Sequence, residues 1–245
     1  MTDKLGYIHS VLTGGTLDGP GVRYVIFMQM CPFRCLYCHN PDTWFKNSLG
    51  AKTVDSVYND ILKYKDFFNF SGGGVTLSGG EPLLQAGFVL SLFKKLKEIK
   101  IHTCLDTCGY VDLSDDIKNA IALCDLVMLD IKHLDSQMHL KLTGKDNKKV
   151  LDFLDYLYSI NKKTRIRQVL VPSFTTDEKY IDKLIEFLDK YRAIIEKVEL
   201  LPYHKMGIEK WQKLGLEYKL DVDEPKKELV QGIRNKFVKY GFEVI

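Results

Sequence analysis

Three cysteines fall within eight residues, in the run Cys31-Pro32-Phe33-Arg34-Cys35-Leu36-Tyr37-Cys38-His39. The spacing, C-x3-C-x2-C, lets three thiolates converge on one inorganic centre. Three kinds of centre compete for it. A [4Fe–4S] cluster usually takes four thiolates, so three close ligands leave one iron open, with Cys104, Cys108 and Cys124 as candidates for a fourth. Zinc also takes four ligands and needs a remote partner here, because His39, adjacent to Cys38, suits the same small tetrahedral site poorly. The run Cys35-Leu36-Tyr37-Cys38-His39 also spells C-x-x-C-H, a haem attachment that normally follows export. The first residues, Met1-Thr2-Asp3-Lys4-Leu5-Gly6-Tyr7, contain no apolar signal core.

A second polar group is Ser78-Gly79-Gly80-Glu81-Pro82. Glycines let backbone approach a ligand closely, and a carboxylate can take an ammonium group. An ordinary strand-to-helix turn explains the same residues. Neither G-x-G-x-x-G nor G-x-x-x-x-G-K-[ST] occurs, which leaves nicotinamide and nucleoside triphosphate readings without support. Further along stand Asp106-Thr107, Asp130-Ile131-Lys132, Arg167 and Pro202-Tyr203-His204.

The elements that must position these groups alternate. Strands are predicted at Val22–Met28, Gly74–Ser78, Ile101–Asp106, Leu126–Asp130, Arg165–Val171 and Val198–Leu201. They are apolar runs without strict alternation, as parallel strands buried on both faces should be. Tyr7–Leu12 and Gly241–Ile245 are expected edge strands. Helical spacing follows in Val54, Val57, Tyr58, Ile61 and Leu62 behind a Thr53 N-cap, in Val89, Leu92, Phe93 and Leu96, and in Ile181, Leu184, Ile185 and Leu188. Strand and helix in alternation read as α/β with parallel strands. A closed eight-unit barrel takes about 250 residues with all eight units, so six units in 245 residues fit a partial (β/α)6 TIM-like barrel. Each polar group follows or ends a strand, and in such folds the active site lies at the C-terminal strand ends. Any one cluster could be an ordinary polar loop. Asp106 and Asp130 could cap helices, Met128 could be core, and Arg167 could pair with a carboxylate.

Composition narrows the class. Hydrophobic residues are 45% and charged residues 27%, as in a folded globular chain. The net charge of +3 gives no reason to expect nucleic acid or an acidic membrane as partner. No run approaches the roughly 18 apolar residues of a membrane span. A cytoplasmic location, with reduced thiols, is expected. No domain boundary is apparent, so residues 1–245 are expected to form one domain.

Together these motifs resemble the radical S-adenosylmethionine superfamily, through C-x3-C-x2-C and the downstream Gly-Gly-Glu-Pro. Within it the chain is similar, over nearly its whole length, to activases of glycyl-radical enzymes of the pyruvate formate-lyase type. The likeness rests on Thr16–Arg23 (with Asp18-Gly19-Pro20-Gly21), Cys35–Trp44, Ser71–Glu81, His102–Thr107, Leu126–Lys132 and Leu200–His204.

The resemblance implies that Cys31, Cys35 and Cys38 hold a [4Fe–4S] cluster whose open iron binds S-adenosylmethionine. Reductive cleavage then gives a 5′-deoxyadenosyl radical that takes hydrogen from a glycine of the partner, with no catalytic residue beyond cluster and cofactor. It implies Tyr37 and His39 beside the nucleotide, and Gly79, Gly80 and Glu81 at the methionine amino group. It further implies Asp130, Ile131, Lys132, Arg167 and His204 completing the pocket. Asp106, Thr107, Met128 and Asp130 match a monovalent cation site, for Na+ or K+, and Asp18 would face the incoming glycine loop. The implied partners are pyruvate formate-lyase and a reduced flavodoxin or ferredoxin, met by a monomer in an anaerobic setting. Only Asn40–Lys52 separates the first motif from the next helix, with no ferredoxin-like cysteine insert, which favours the pyruvate formate-lyase type. The rival functions are a radical enzyme acting on another glycyl-radical enzyme or a small molecule, and a non-catalytic zinc protein. Cys104 and Cys124 read as small buried hydrophobes. Cys108 stands where asparagine is more usual in the family, a departure that puts no core role in doubt, and a thiol near the pocket could be oxidation-prone.

Overall fold

A computed structural model describes residues 4–245. The chain divides into two compact units. The first runs up to Pro32 and resumes over Thr43–Met128; the second comprises Phe33–Asp42 and Leu129–Ile245.

The first unit contains β1 (Leu5–Gly15), β2 (Arg23–Met28), β3 (Ala51–Thr53), β4 (Gly74–Gly79), β5 (His102–Thr107) and the start of β6 (Leu126–Asp130), in the order β3-β1-β2-β4-β5-β6. β1 pairs antiparallel with β2 and β3, whereas β2, β4 and β5 are parallel. β2 and β4 are buried almost throughout, which is why their apolar runs do not alternate. Its helices are α1 (Val54–Leu62), α2 (Lys65–Ser71), α3 (Ala86–Glu98) and α4 (Asp115–Leu123). Thr53 caps α1, its hydroxyl accepting from the Ser56 N–H at 3.1 Å, as its residue type predicts. α1 buries Val54, Val57 and Ile61, while α3 buries Val89, Leu92, Phe93 and Leu96 along the stripe expected of a helix on a sheet.

The N-terminal end of β2 is locked by a fully buried arginine. Arg23 donates through Nε to Thr76 Oγ1 at 2.9 Å and through its terminal nitrogens to Val75 O at 2.6 Å and Pro20 O at 3.2 Å. Burial pushes its pKa down, with acidic neighbours opposing. The Thr76 hydroxyl donates to Asp18 O at 2.6 Å, so the Asp18-Gly19-Pro20-Gly21 turn is held at this end. Gly21 has φ +63, and a Cβ there would stand 2.5 Å from the Gly73 nitrogen, so only glycine fits.

The second unit contains the end of β6, then β7 (Thr164–Leu170) and β8 (Ile195–Pro202), in the order β6-β7-β8, with β7 and β8 parallel. Its helices are α5 (Ser136–Thr143), α6 (Lys148–Ser159), α7 (Glu178–Asp189), α8 (Ile208–Lys213) and α9 (Lys227–Lys239). α7 buries Ile181, Leu184, Ile185 and Leu188, as predicted. The six expected strands are present as β2, β4, β5, β6, β7 and β8, shifted by a few residues at most. Two edge expectations change. Tyr7–Leu12 lengthens to β1, which pairs with β3 from Leu5 to Tyr7 and with β2 from Ile8 to Gly15. Gly241–Ile245 is not a strand but one isolated parallel bridge, Val198 to Val244. Among the described residues no helix is long and apolar enough to cross a membrane.

Candidate active site

In the first unit the parallel register sets Met28 beside Gly79 and Leu77 beside Leu105, so three chain segments leave the sheet at one edge: Cys31, Gly79–Glu81 and Asp106–Cys108. Backbone bonds join them. Gly80 N–H donates to Met28 O at 2.8 Å and Glu81 N–H to Met30 O at 2.6 Å. Gly79 has φ +102, and a Cβ on Gly80 would lie 2.1 Å from Met30 O. The turn is therefore flush against the backbone that leads into Cys31.

Glu81 is fully buried, and its carboxylate is used within the protein. Oε1 accepts from Leu83 N–H at 3.0 Å, Oε2 accepts from Cys108 N–H at 2.8 Å, and the Thr107 hydroxyl bridges both oxygens at 2.7 and 2.8 Å. Burial pushes its pKa up, and these donors pull it back. This side chain caps the turn Pro82–Gln85 and fixes the exit of β5, which leaves ligand contact at the turn to glycine backbone.

Cys108 is buried, and burial first, then its neighbours Cys31 and Glu81, push its pKa up. Ser78 donates to Asp106 Oδ2 at 2.6 Å. Asp106 caps no helix, since Ser114 caps α4. Met128 is sealed in a cluster with Cys104 and Leu126, and the Cys124 thiol donates to Leu126 O at 3.0 Å. The Asp18 carbonyl accepts from the hydroxyl of Thr76, in the middle of β4, at 2.6 Å.

The second unit carries the rest. Its segment Phe33–Asp42 rests on the last carbonyls of α5, which a helix leaves without internal partners. Arg34 N–H donates to Thr143 O at 2.8 Å and Leu36 N–H to Leu142 O at 2.9 Å. From the other side, Trp211 Nε1 on α8 donates to Cys38 O at 2.8 Å, and Lys210 Nζ to Asn40 Oδ1 at 2.7 Å. His39 stacks on His204 with centroids 4.0 Å apart. Its Nε2 donates to His204 O at 3.0 Å, and burial pushes its pKa down, so the ring is neutral and presents Nδ1 as an acceptor. His204 Nδ1 is buried without a hydrogen-bond partner among the described residues.

Lys132 pairs with Asp130 at 2.8 Å and lies 5.7 Å from the centre of the Tyr37 ring. Burial works against its charge, but Asp130, Tyr37 and Cys35 outweigh it and hold its pKa well above the ordinary value. Tyr37 is buried, which pushes its own pKa up. Asp130 therefore serves Lys132, and Asp135 caps α5 instead. Arg167 does pair with a carboxylate, Glu199 Oε2 at 3.1 Å. Glu199 also reaches Arg165, at 3.5 Å, and Arg165 Nε meets Glu196 at 2.6 Å. Ile131, buried, donates its N–H to Arg167 O at 2.9 Å.

Sequence reasoning missed Glu199 and Trp211. Only the β7–β8 register sets Arg167 opposite Glu199, and nothing in the spacing announces which carbonyl an indole reaches.

The residues fit an iron–sulfur cluster and a bound cofactor. All six cysteines are unbridged thiols, and thiolates are the donors iron–sulfur clusters take. The Gly79–Gly80 turn has backbone where side chains would intrude, and His204 Nδ1 awaits a partner. Among the described residues, no three His, Cys, Asp or Glu side chains are gathered tightly enough to hold a single metal ion.

The Radical SAM superfamily model matches residues 25–188. A pyruvate formate-lyase-activating enzyme of Staphylococcus epidermidis is 48% identical over 229 residues, 90% of each chain. One from Listeria monocytogenes is 41% identical over 243 residues, 97% of this chain and 98% of its own. Among solved structures, a domain of the pyruvate-formate lyase-activating enzyme of Bacteroides vulgatus is similar at TM-score 0.60 and 26% identity, over 71% of this chain and 98% of that one. Streptococcus suis SuiB bound to its precursor peptide SuiA gives TM-score 0.68 at 20% identity, over 93% of this chain and 48% of that one, a likeness of fold. An open strand order with six strand–helix units and these neighbours bear out the partial barrel.

Proposed function

The chain belongs to the Radical SAM superfamily, and on that footing we propose that it is a glycyl-radical activase whose substrate is pyruvate formate-lyase. The near full-length likeness to the Staphylococcus and Listeria enzymes carries the assignment. Membership implies a [4Fe–4S] cluster and S-adenosylmethionine. When bound and reduced, that pair supplies a 5′-deoxyadenosyl radical able to take hydrogen from a glycine of the partner.

The chain's own residues hold, orient and shield. Cys31, Cys35 and Cys38 would be the cluster ligands. Support comes from the hydrogen bonds that fix the backbone around them, at Met30, Arg34, Leu36 and Cys38. The backbone of Gly79 and Gly80 would receive the methionine ammonium, with Glu81 holding the turn rigid. Tyr37 and a neutral His39 would border the nucleotide, and His204 would give its unpartnered Nδ1 a role there. Ile131, Arg167 and Lys132, charged through Asp130, would complete the pocket. Asp106, Thr107, Met128 and Asp130 would provide an oxygen-rich shell for Na+ or K+. The Asp18 turn, held by Arg23 and Thr76, is assigned to the incoming glycine segment. Both units would work as one catalytic domain, in a cytoplasmic monomer fed by reduced flavodoxin or ferredoxin.

The test is anaerobic reconstitution followed by incubation with purified pyruvate formate-lyase, S-adenosylmethionine and a reductant. About four irons per chain are expected, with a glycyl-radical signal on the partner in electron paramagnetic resonance. A full cluster that leaves pyruvate formate-lyase inactive overturns the substrate assignment. An active Cys35→Ala chain overturns the cluster assignment.

A further inference from the structure

In the first unit the turn Asp18-Gly19-Pro20-Gly21 is laid against the sheet face that carries the candidate site. Successive side chains of a strand point to opposite faces, so Thr76 and Ser78 of β4 share one face, as do Cys104 and Asp106 of β5. The register sets Thr76 beside Cys104, and Ser78 donates to Asp106 Oδ2 at 2.6 Å. The turn lies on the row of Thr76 and Cys104. Asp18 O accepts from the Thr76 hydroxyl at 2.6 Å, and a Cβ on Gly19 would stand 2.9 Å from Cys104 Sγ. One row, about 7 Å of strand, separates it from the Ser78–Asp106 pair.

We propose that Arg23 is a positioning residue for the substrate: acting through Thr76, it sets the height of the Asp18 turn on which the partner's glycine segment rests. The proposal rests on the reading that Asp18 faces that segment. The direction of the protons carries it. A guanidinium has donors only. Arg23 Nε donates to Thr76 Oγ1 at 2.9 Å, so the one hydroxyl proton of Thr76 is left for Asp18 O. The same guanidinium donates to Pro20 O at 3.2 Å and is anchored on Val75 O at 2.6 Å. Two carbonyls of the turn are thereby tied to one fully buried side chain, Pro20 directly and Asp18 through Thr76. At its far end the turn is held again, by Val22 N–H donating to Ser71 Oγ at 3.1 Å and Gly74 N–H to Val22 O at 3.1 Å. A planar fork of donors can meet Thr76, Val75 and Pro20 at once, which the single ammonium of a lysine cannot. A turn fixed in this way presents Asp18 at one height before the substrate arrives, so little binding energy is spent on ordering it. These contacts run through β2, β4 and their connections, and not through the cysteine segment or the Gly79–Gly80 turn. Arg23 would therefore govern substrate affinity separately from cofactor affinity.

The test compares the unaltered chain with Thr76→Val, Thr76→Ser and Arg23→Lys, each reconstituted anaerobically with iron and sulfide. Two dissociation constants are measured for each chain. One is for a fluorescent peptide spanning the reactive glycine of pyruvate formate-lyase, read by anisotropy, and the other is for S-adenosylmethionine, read by equilibrium dialysis. Thr76→Val keeps the shape but leaves Asp18 O without its donor, so the peptide Kd should rise about tenfold while the S-adenosylmethionine Kd stays at the parental value. Thr76→Ser restores the hydroxyl and should bind the peptide as the parent does. Arg23→Lys should weaken peptide binding alone, as Thr76→Val does. A general loosening of the fold would weaken both ligands together. An unchanged peptide Kd in Thr76→Val, or one that rises in step with the S-adenosylmethionine Kd, overturns the proposal. So does a serine chain as weak as the valine chain. Should Arg23→Lys fail to fold, the two Thr76 variants decide. An unaltered chain that loads its cluster and binds S-adenosylmethionine but not the peptide overturns the reading that Asp18 faces the glycine segment, and the proposal with it.

Discussion

The two units secure their site residues by different physics. In the first, the strand-end segments are joined by backbone. Gly80 and Glu81 donate to Met28 and Met30 carbonyls, glycines leave no room for side chains, and the one buried carboxylate is answered by N–H and O–H donors. In the second, charged and ring-bearing side chains do the holding: Asp130 with Lys132, Glu199 with Arg165 and Arg167, His39 stacked on His204. Backbone joints are set by shape and are indifferent to salt. Buried charge networks are costly to break because removing one member leaves the other without a partner. The first unit should therefore fail by steric intrusion, and the second by loss of charge balance.

The largest effect is expected at Gly80. Its substitution by alanine puts a Cβ 2.1 Å from a backbone oxygen, which cannot rotate away as a side chain could. The turn must lift from Met30, displacing the segment that leads into Cys31. A displacement of about 1 Å near a reacting group costs about 100-fold, so Gly80→Ala should lose about that much S-adenosylmethionine cleavage. Product 5′-deoxyadenosine, measured by chromatography, gives the readout. Near-parental cleavage would break the view of the first unit as a shape-determined joint.

Next in size is Glu199→Gln. The amide keeps the shape and removes the charge that two arginines share. Breaking a buried ion pair on one side costs about 3–5 kcal/mol, so the midpoint of urea unfolding should fall accordingly. S-adenosylmethionine affinity should fall with it if Arg167 serves the cofactor. Iron content should stay at the parental level, because no cysteine segment depends on this network. A variant as stable as the parent would erase the contrast between the units.

These contrasts bear on what could be read beforehand. Strand positions were legible because burial on both faces leaves unbroken apolar runs, and Thr53 announced its helix by its type and place. The motifs named most of the candidate side chains. What stayed hidden depends on register and on approach between distant segments. The Glu81 motif says nothing of Thr107 and Cys108, more than twenty residues on, whose hydroxyl and N–H its carboxylate accepts. Glu199 gains meaning only opposite Arg167 in the neighbouring strand. Trp211 lies 173 residues from the carbonyl it holds. Spacing along a chain reports local periodicity, not which remote donor fills a given acceptor.

A smaller effect sharpens the picture of the second unit. Trp211→Phe keeps the ring against Tyr218 and deletes the N–H that Cys38 O accepts. A single buried hydrogen bond contributes about 1 kcal/mol. The unfolding midpoint should drop by that order, and cluster loading should slow rather than fail, since α5 still holds Arg34 and Leu36. Loading rates followed by absorbance would show this, and an unchanged rate would remove α8 from the support of the cysteine segment.

The smallest effect separates the units by sign. His139, fully buried in the second unit, has its pKa pushed below 6.5 by burial. Between its folded value and 6.5 the unfolded chain binds more protons, so this histidine makes stability fall as pH drops through that window. Glu81 in the first unit has its pKa pushed above 4.5 by burial. There the folded chain binds more protons, so its contribution is fully present below 4.5 and is lost as pH rises toward the folded value. Acidification thus strains the second unit through His139 and relieves the first through Glu81. Denaturant unfolding across pH 4.5–6.5 should show His139→Gln flattening the acid loss and Glu81→Gln steepening it, each by less than about 1.4 kcal/mol per pH unit. Shifts of the same sign in both variants would mean that the two buried groups do not titrate as their surroundings dictate, and the division between a shape-held unit and a charge-held one would lose its electrostatic half.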